Sequence, residues 1–204
     1  MSPAENALRI TLIVLFCSLT ALRLYYKLRY RVLHLGFTPF AEGTALGLCR
    51  LGLGVPLLLG LAVAMYDPLR FAWMRLPLPM ALRFFGVVTA VASLVLLFWV
   101  QQHLGANFST TISLRPHHTL VTTGPYRFVR HPMYIAYLGF FISGGLISAN
   151  WVVGVFGVSV FAVLMTLRLR REETVLVDHF GDVYVEYMRL TPRFVPRLRQ
   201  DIRN

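Results

Sequence analysis

The chain has 204 residues, of which 56% are hydrophobic and only 14% charged, with a mean hydropathy of +0.62 and a formal net charge of +11. So apolar a composition excludes an ordinary soluble domain and predicts an integral membrane protein. The arginines flank apolar runs and form no separate basic domain, so no nucleic-acid partner is expected and the charge reads as the cytoplasmic face of a membrane protein.

The first predicted span runs from about Ala7 to Tyr26. It has no basic segment ahead of it and carries Arg9 and Arg23, a poor match to a signal peptide. Cys17 within it and Cys49 in the next run read as packed thiols, with no disulfide framework. The basic stretch Lys27–Arg31 follows, then a second span over about Ala45–Tyr66, in which Pro56 predicts a kink and Gly43 and Gly47 allow close helix approach. A third span covers Met80–Gln101. Residues 103–131 are polar and hold no span; Gly124-Pro125 signals a turn there.

Pro132 is placed to open a helix, where its missing N–H costs nothing. The residue before a proline is driven to extended backbone, so His131 is expected at the mouth of that helix. The fourth span is Pro132–Ser148 and the fifth is Trp151–Leu167, joined only by Ala149-Asn150. They form a predicted antiparallel hairpin, with Gly139, Ser143 and Gly144 facing Gly154 and Gly157. Beyond it, Leu176, Phe180, Val183, Tyr184 and Tyr187 recur at helical spacing, a predicted amphipathic cytosolic segment interrupted at Gly181-Asp182. Regular structure is expected to end at Thr191–Pro196.

The expected fold is therefore all-α: one membrane domain over residues 1–204 with five transmembrane helices, the last two a hairpin, and cytosolic elements at 103–131 and 168–196. Arginine asymmetry places the C-terminus in the cytoplasm, with the plasma or inner membrane expected if the source is bacterial; Arg70 and Arg75 count weakly against.

Arg127, Arg130 and His131 gather where the positive end of a helix dipole is expected, a natural place for an anionic group. Tyr134 and Tyr137 follow on one face of that helix. A membrane-interface anchor would use the same residue types. Arg168 and Glu172 stand four apart and can pair, and a second carboxylate, Glu173, follows. The six histidines show no repeated paired spacing, so no metal site is expected. No Gly-x-Ser-x-Gly elbow offers an acyl-enzyme route.

Several stretches in order carry a resemblance: Leu104-Gly-Ala-Asn107-Phe-Ser109; His118 to Gly124-Pro-Tyr126-Arg-Phe-Val-Arg130-His131-Pro132-Met-Tyr134; Arg168-x-x-x-Glu172-Glu173 through Phe180-Gly181, Tyr184 and Tyr187; and Pro192-Arg193-Phe194-Val195-Pro196. Together they resemble the isoprenylcysteine carboxyl methyltransferase family, related to phospholipid N-methyltransferases, over roughly the C-terminal half. Ala136 departs from the glycine often found there. The resemblance implies a membrane methyltransferase that uses S-adenosylmethionine. It nominates Tyr126, Arg130, His131, Tyr134, Glu172 and Glu173 for the cofactor, and Asn107 and Tyr137 for the substrate. Arg168 or Arg193 would orient a carboxylate acceptor, with Glu172 available as a base for an amine or thiol. The implied partners are a lipophilic or prenylated acceptor and membrane lipid. The alternatives are a phospholipid or amine N-methyltransferase, an NADPH-dependent sterol-type reductase, and a non-enzymatic membrane scaffold.

Overall fold

In the computed structural model, residues 2–30, 72–107 and 119–196 are described. The expected second span at 45–66, and with it Cys49, lies outside them. Helices are numbered through the described residues.

Helix α1 spans Pro3–Arg29, longer at both ends than the apolar run that predicts it. The extension at the start has a local cause: Pro3 sits in the first turn, and Ser2 Oγ accepts the Glu5 N–H at 3.3 Å. Leu8, Leu12 and Leu15 form one buried stripe against Ala90, Phe140 and Ile147. Cys17 is exposed on another face of this helix, so it is not the packed thiol expected.

Helix α2 (Met80–Leu104) ends where Gly105 takes a positive φ of 52°. Helix α3 spans Pro132–Ser148, as the two flanking signals predict. Ala149 then turns left-handed at φ 49°, and the Asn150 side-chain oxygen accepts the N–H groups of Val152 and Val153 at 3.0 and 3.1 Å. That caps helix α4 (Val152–Phe180), whose first residues, Val152–Phe156, are wound as a π-helix. The expected helix end at Leu167 does not occur. Hydropathy falls there, but no glycine or proline interrupts the winding until Gly181, with φ 55°. Helix α5 (Asp182–Leu190) follows.

No β-strand occurs among the described residues; the extended contact is a single bridge between Arg75 and Asn150. Helices α1, α2 and α4 are long and apolar enough to cross a membrane, and α3 is a shorter apolar helix.

Small residues set the packing. A Cβ on Gly86 would stand 2.8 Å from Leu146 Cβ, and one on Gly139 would stand 2.5 Å from Ser93 Oγ, so α2 and α3 run antiparallel at close range. In the hairpin the closest approach is Gly145 to Gly154, where a Cβ on Gly145 would meet Gly154 Cα at 2.5 Å. Gly139, assigned to the hairpin from sequence, serves the α2 contact instead. At one end of the bundle, Glu5 accepts from Arg75 and Arg83, both at 2.7 Å. Buried Arg83 also donates to the Ile147 carbonyl through Nε (3.1 Å) and Nη2 (2.9 Å), at the carbonyl end of α3.

Candidate active site

These directions bring the C-terminal parts of α1, α2 and α4 to the same end of the bundle as the start of α3. Gly124, at φ 59°, lets the turn Gly124–Arg127 lie directly against the His103 ring, where a side chain on the glycine would collide. His131 sits just ahead of α3 with φ −126° and ψ 58°, and its side chain caps no N–H of the helix.

Glu173 is the centre of the arrangement. Its side chain is 9% exposed. Oε1 lies 3.1 Å from Arg130 Nη2, 3.2 Å from His131 Nε2 and 3.2 Å from Arg193 Nε. Oε2 accepts from Arg193 Nη2 at 2.6 Å. The fork–carboxylate pairing with Arg193 is bidentate in kind, the strongest class of such contact. It raises the Arg193 pKa, chiefly through the hydrogen bond to Glu173. Arg130 also donates to the Met188 carbonyl at 2.9 Å.

Main-chain bonds close the same seam. The Arg130 N–H donates to the Pro192 carbonyl at 2.8 Å, and the His131 N–H to the Arg193 carbonyl at 3.2 Å. Tyr187 Oη donates to the Tyr126 carbonyl at 2.6 Å. Burial pushes the Tyr187 phenol up to about 12, and it also raises Tyr184 and Tyr126, with the Glu172 charge adding to the rise at Tyr126. All three therefore stay neutral near pH 7.

Glu172 has a different setting. Tyr134 Oη donates to its Oε2 at 2.7 Å, Arg168 Nε stands 3.9 Å away, and its side chain keeps 28% exposure. Adjacent helical residues point about a quarter turn apart, roughly 100° by helix geometry. So one carboxylate locks the two halves of the site together, and the other, held by Tyr134, stays partly exposed.

The structure thus gathers Arg130, His131, Tyr134, Glu172 and Glu173, with the Tyr126 turn tied in by Tyr187. Arg193 is held on Glu173. Asn107 spends its side chain on Thr119: Nδ2 donates to Thr119 Oγ1 at 2.9 Å, and Oδ1 accepts the Thr119 N–H at 3.1 Å. Tyr137 packs on Phe161 at 6.1 Å between centroids, with Arg23 Cζ 5.2 Å from its ring centre. Sequence reasoning noticed Arg23 only as an oddity of the first span. A cation inside an apolar helix is itself a functional signal and could have nominated it. The carbonyls of Met188, Pro192 and Arg193 carry no sequence signal at all. Among the described residues no three His, Cys, Asp or Glu side chains gather at metal-binding distance.

Residues 86–178 match the model of the isoprenylcysteine carboxyl methyltransferase (ICMT) family, a stretch holding Arg130, His131, Tyr134, Glu172 and Glu173. The cobalt-zinc-cadmium resistance protein CzcN of Cupriavidus metallidurans is 37% identical over 87 residues, 43% of this chain and 40% of that protein. The protein-S-isoprenylcysteine O-methyltransferase of Schizosaccharomyces pombe is 31% identical over 94 residues, 45% of this chain and 40% of that one. The matched part of the chain thus spans well under half of each of these relatives. Among solved structures, the eukaryotic intramembrane Ras methyltransferase ICMT shares the fold, with a TM-score of 0.60 at 19% identity over 91% of this chain and 67% of that chain.

Proposed function

We propose, from the match of residues 86–178 to the isoprenylcysteine carboxyl methyltransferase family, that the chain is a member of it and transfers a methyl group from S-adenosylmethionine to a lipophilic carboxylate or thiol at the membrane. A prenylated cysteine carboxylate is the favoured acceptor. The observation that carries this reading is the junction of the Arg130-His131-Pro132-Met133-Tyr134 turn with Glu172 and Glu173 of α4.

The residues present fit such a cofactor. Glu172, half-buried and oriented by Tyr134, suits an ammonium or a ribose diol. Arg130 Nε, buried and without a partner among the described residues, and the start of α3 suit a carboxylate. The aromatic faces of Tyr126 and Tyr134 suit a sulfonium. S-adenosylmethionine supplies an electrophilic methyl group. The protein's task is to hold the acceptor anion in line and exclude water, with no covalent intermediate. Tyr187, Arg193 and the 192–193 main chain draw the C-terminal segment over the turn and keep the site dry. The arginine distribution puts this end of the bundle, and the C-terminus, at the cytoplasm, from which a polar cofactor would enter.

The Glu173 clamp also weighs against a pyridine nucleotide. NADPH is a polyanion that calls for several available guanidinium groups; with Arg130 and Arg193 paired to Glu173, what remains at Arg130 Nε suits one carboxylate and not a pyrophosphate with a further phosphate. An equilibrium titration of the full chain in detergent tests the reading. Saturable binding of S-adenosylmethionine is expected, with NADPH weaker by at least about tenfold, the loss of one good charge-assisted contact. Tighter binding of NADPH would favour a reductase.

A further inference from the structure

Arg23 lies in the apolar helix α1, and no carboxylate among the described residues pairs with it. A cation placed there is costly and, within a membrane segment, marks a ligand or ion site more often than a structural one. Its guanidinium stands over the Tyr137 ring of α3, with Cζ 5.2 Å from the ring centre. Tyr137 Oη is buried beside Arg23, and its own O–H finds no acceptor among the described residues. A buried O–H left without an acceptor is destabilising, so the pair offers a donor and a positive charge that a ligand would satisfy.

Position links this pair to the site already described. Phe161 of α4 packs against both Tyr137, at 6.1 Å, and Tyr134, at 6.4 Å. Tyr134 is the residue bonded to Glu172. One aromatic ring therefore separates the Glu172 side from the Arg23 side. Phe141, 5.2 Å from Phe161, continues the aromatic wall toward the hairpin turn. The arginines nearer the turn are committed: Arg130 and Arg193 to Glu173, while Arg168 stands beside Glu172.

We propose that Arg23 and Tyr137 form the anchor for the anionic head of the acceptor, with Arg23 pairing a carboxylate, Tyr137 Oη donating to it, and the apolar tail lying along Phe161 and Phe141. This rests on the methyltransferase reading for its ligand class. It assigns carboxylate recognition to α1, away from the Arg168 and Arg193 candidates. Arg23 acts here as a specificity residue: it distinguishes an acid from its ester, and the product of methylation, having lost its charge, is released.

The test compares binding of N-acetyl-S-prenylcysteine and of its methyl ester to the full chain in detergent free of anionic lipid. The wild-type protein is expected to favour the acid over the ester by about tenfold to a hundredfold, as loss of one charge-assisted contact predicts. Arg23→Gln should abolish that preference, Arg23→Lys should restore part of it, and Tyr137→Phe should reduce it. Arg23 is exposed, so the Gln variant is expected to fold, and an unchanged S-adenosylmethionine titration would show it. An acid-over-ester preference that survives in Arg23→Gln overturns the anchor, as does a wild-type protein that binds acid and ester alike. Failure of the wild-type protein to bind S-adenosylmethionine, by contrast, strikes the methyltransferase reading, while the acid–ester comparison still decides the anchor.

Discussion

Glu173→Ala is expected to cost about 3–5 kcal/mol of stability, the usual consequence of removing one partner from a buried ionic cluster. The carboxylate is 9% exposed and is the shared acceptor for Arg130, His131 and Arg193. Arg193, 53% exposed, can turn toward water when Glu173 is gone. Arg130, at 9%, and His131, at 5%, cannot. Burial of the Arg130 charge without a counter-charge, with His131 Nε2 stripped of its partner, is the origin of the loss. In a thermal unfolding experiment in detergent the midpoint should fall by roughly 6–20 °C, taking about 2–4 °C per kcal/mol for a chain of this size. Glu186→Ala is the control, because Glu186 and Arg189 pair at 3.1 Å on an exposed face and contribute little. Equal midpoints for the two variants would mean that Glu173 does not hold the turn and the C-terminal segment together.

Glu172→Gln is expected to do the opposite: leave the midpoint nearly unchanged and weaken S-adenosylmethionine binding by about tenfold to a hundredfold. The amide oxygen of glutamine can still accept from Tyr134 Oη, so the local geometry survives. What disappears is the partly exposed negative charge beside Tyr134. Tyr134→Phe should produce a smaller loss in the same direction, since it frees the carboxylate to rotate without removing it. Isothermal titration of the three proteins orders the effects. Normal affinity in Glu172→Gln would move the cofactor to another part of the bundle.

The contrast between these neighbours shows what the sequence could and could not reveal. Punctuation was legible: Pro132 and Ala149-Asn150 bound α3 at the positions observed, and Gly181 interrupts the C-terminal helices as expected. Hydropathy was less informative where polarity and helicity diverge. The apolar run stops at Leu167, yet Arg168 to Phe180 are adequate helix formers, so α4 continues and carries both carboxylates into the site. That Arg130, His131, Tyr134, Glu172 and Glu173 come together could be read from the ordered stretches around Arg130 and Glu172. Their division of labour could not, because it depends on which way two adjacent side chains face. Arg193 shows the same limit. Its charge suited substrate orientation in sequence, while in the fold it lies on Glu173 at 2.6 Å. Asn107 likewise offered a polar amide near the site, and Thr119 takes both ends of it.

Methyl transfer to a lipophilic anion can be measured by supplying the full chain in detergent with methyl-labelled S-adenosylmethionine and three acceptors across pH: a prenylcysteine analogue, an alkyl thiol and an aminolipid. Label is expected in the prenylcysteine ester, at a rate nearly flat above the acid's own pKa because the reacting carboxylate is already ionised. Any transfer to the thiol should rise with pH as thiolate forms. Transfer to the aminolipid alone, or to none of the three, would contradict methyl transfer to a lipophilic anion.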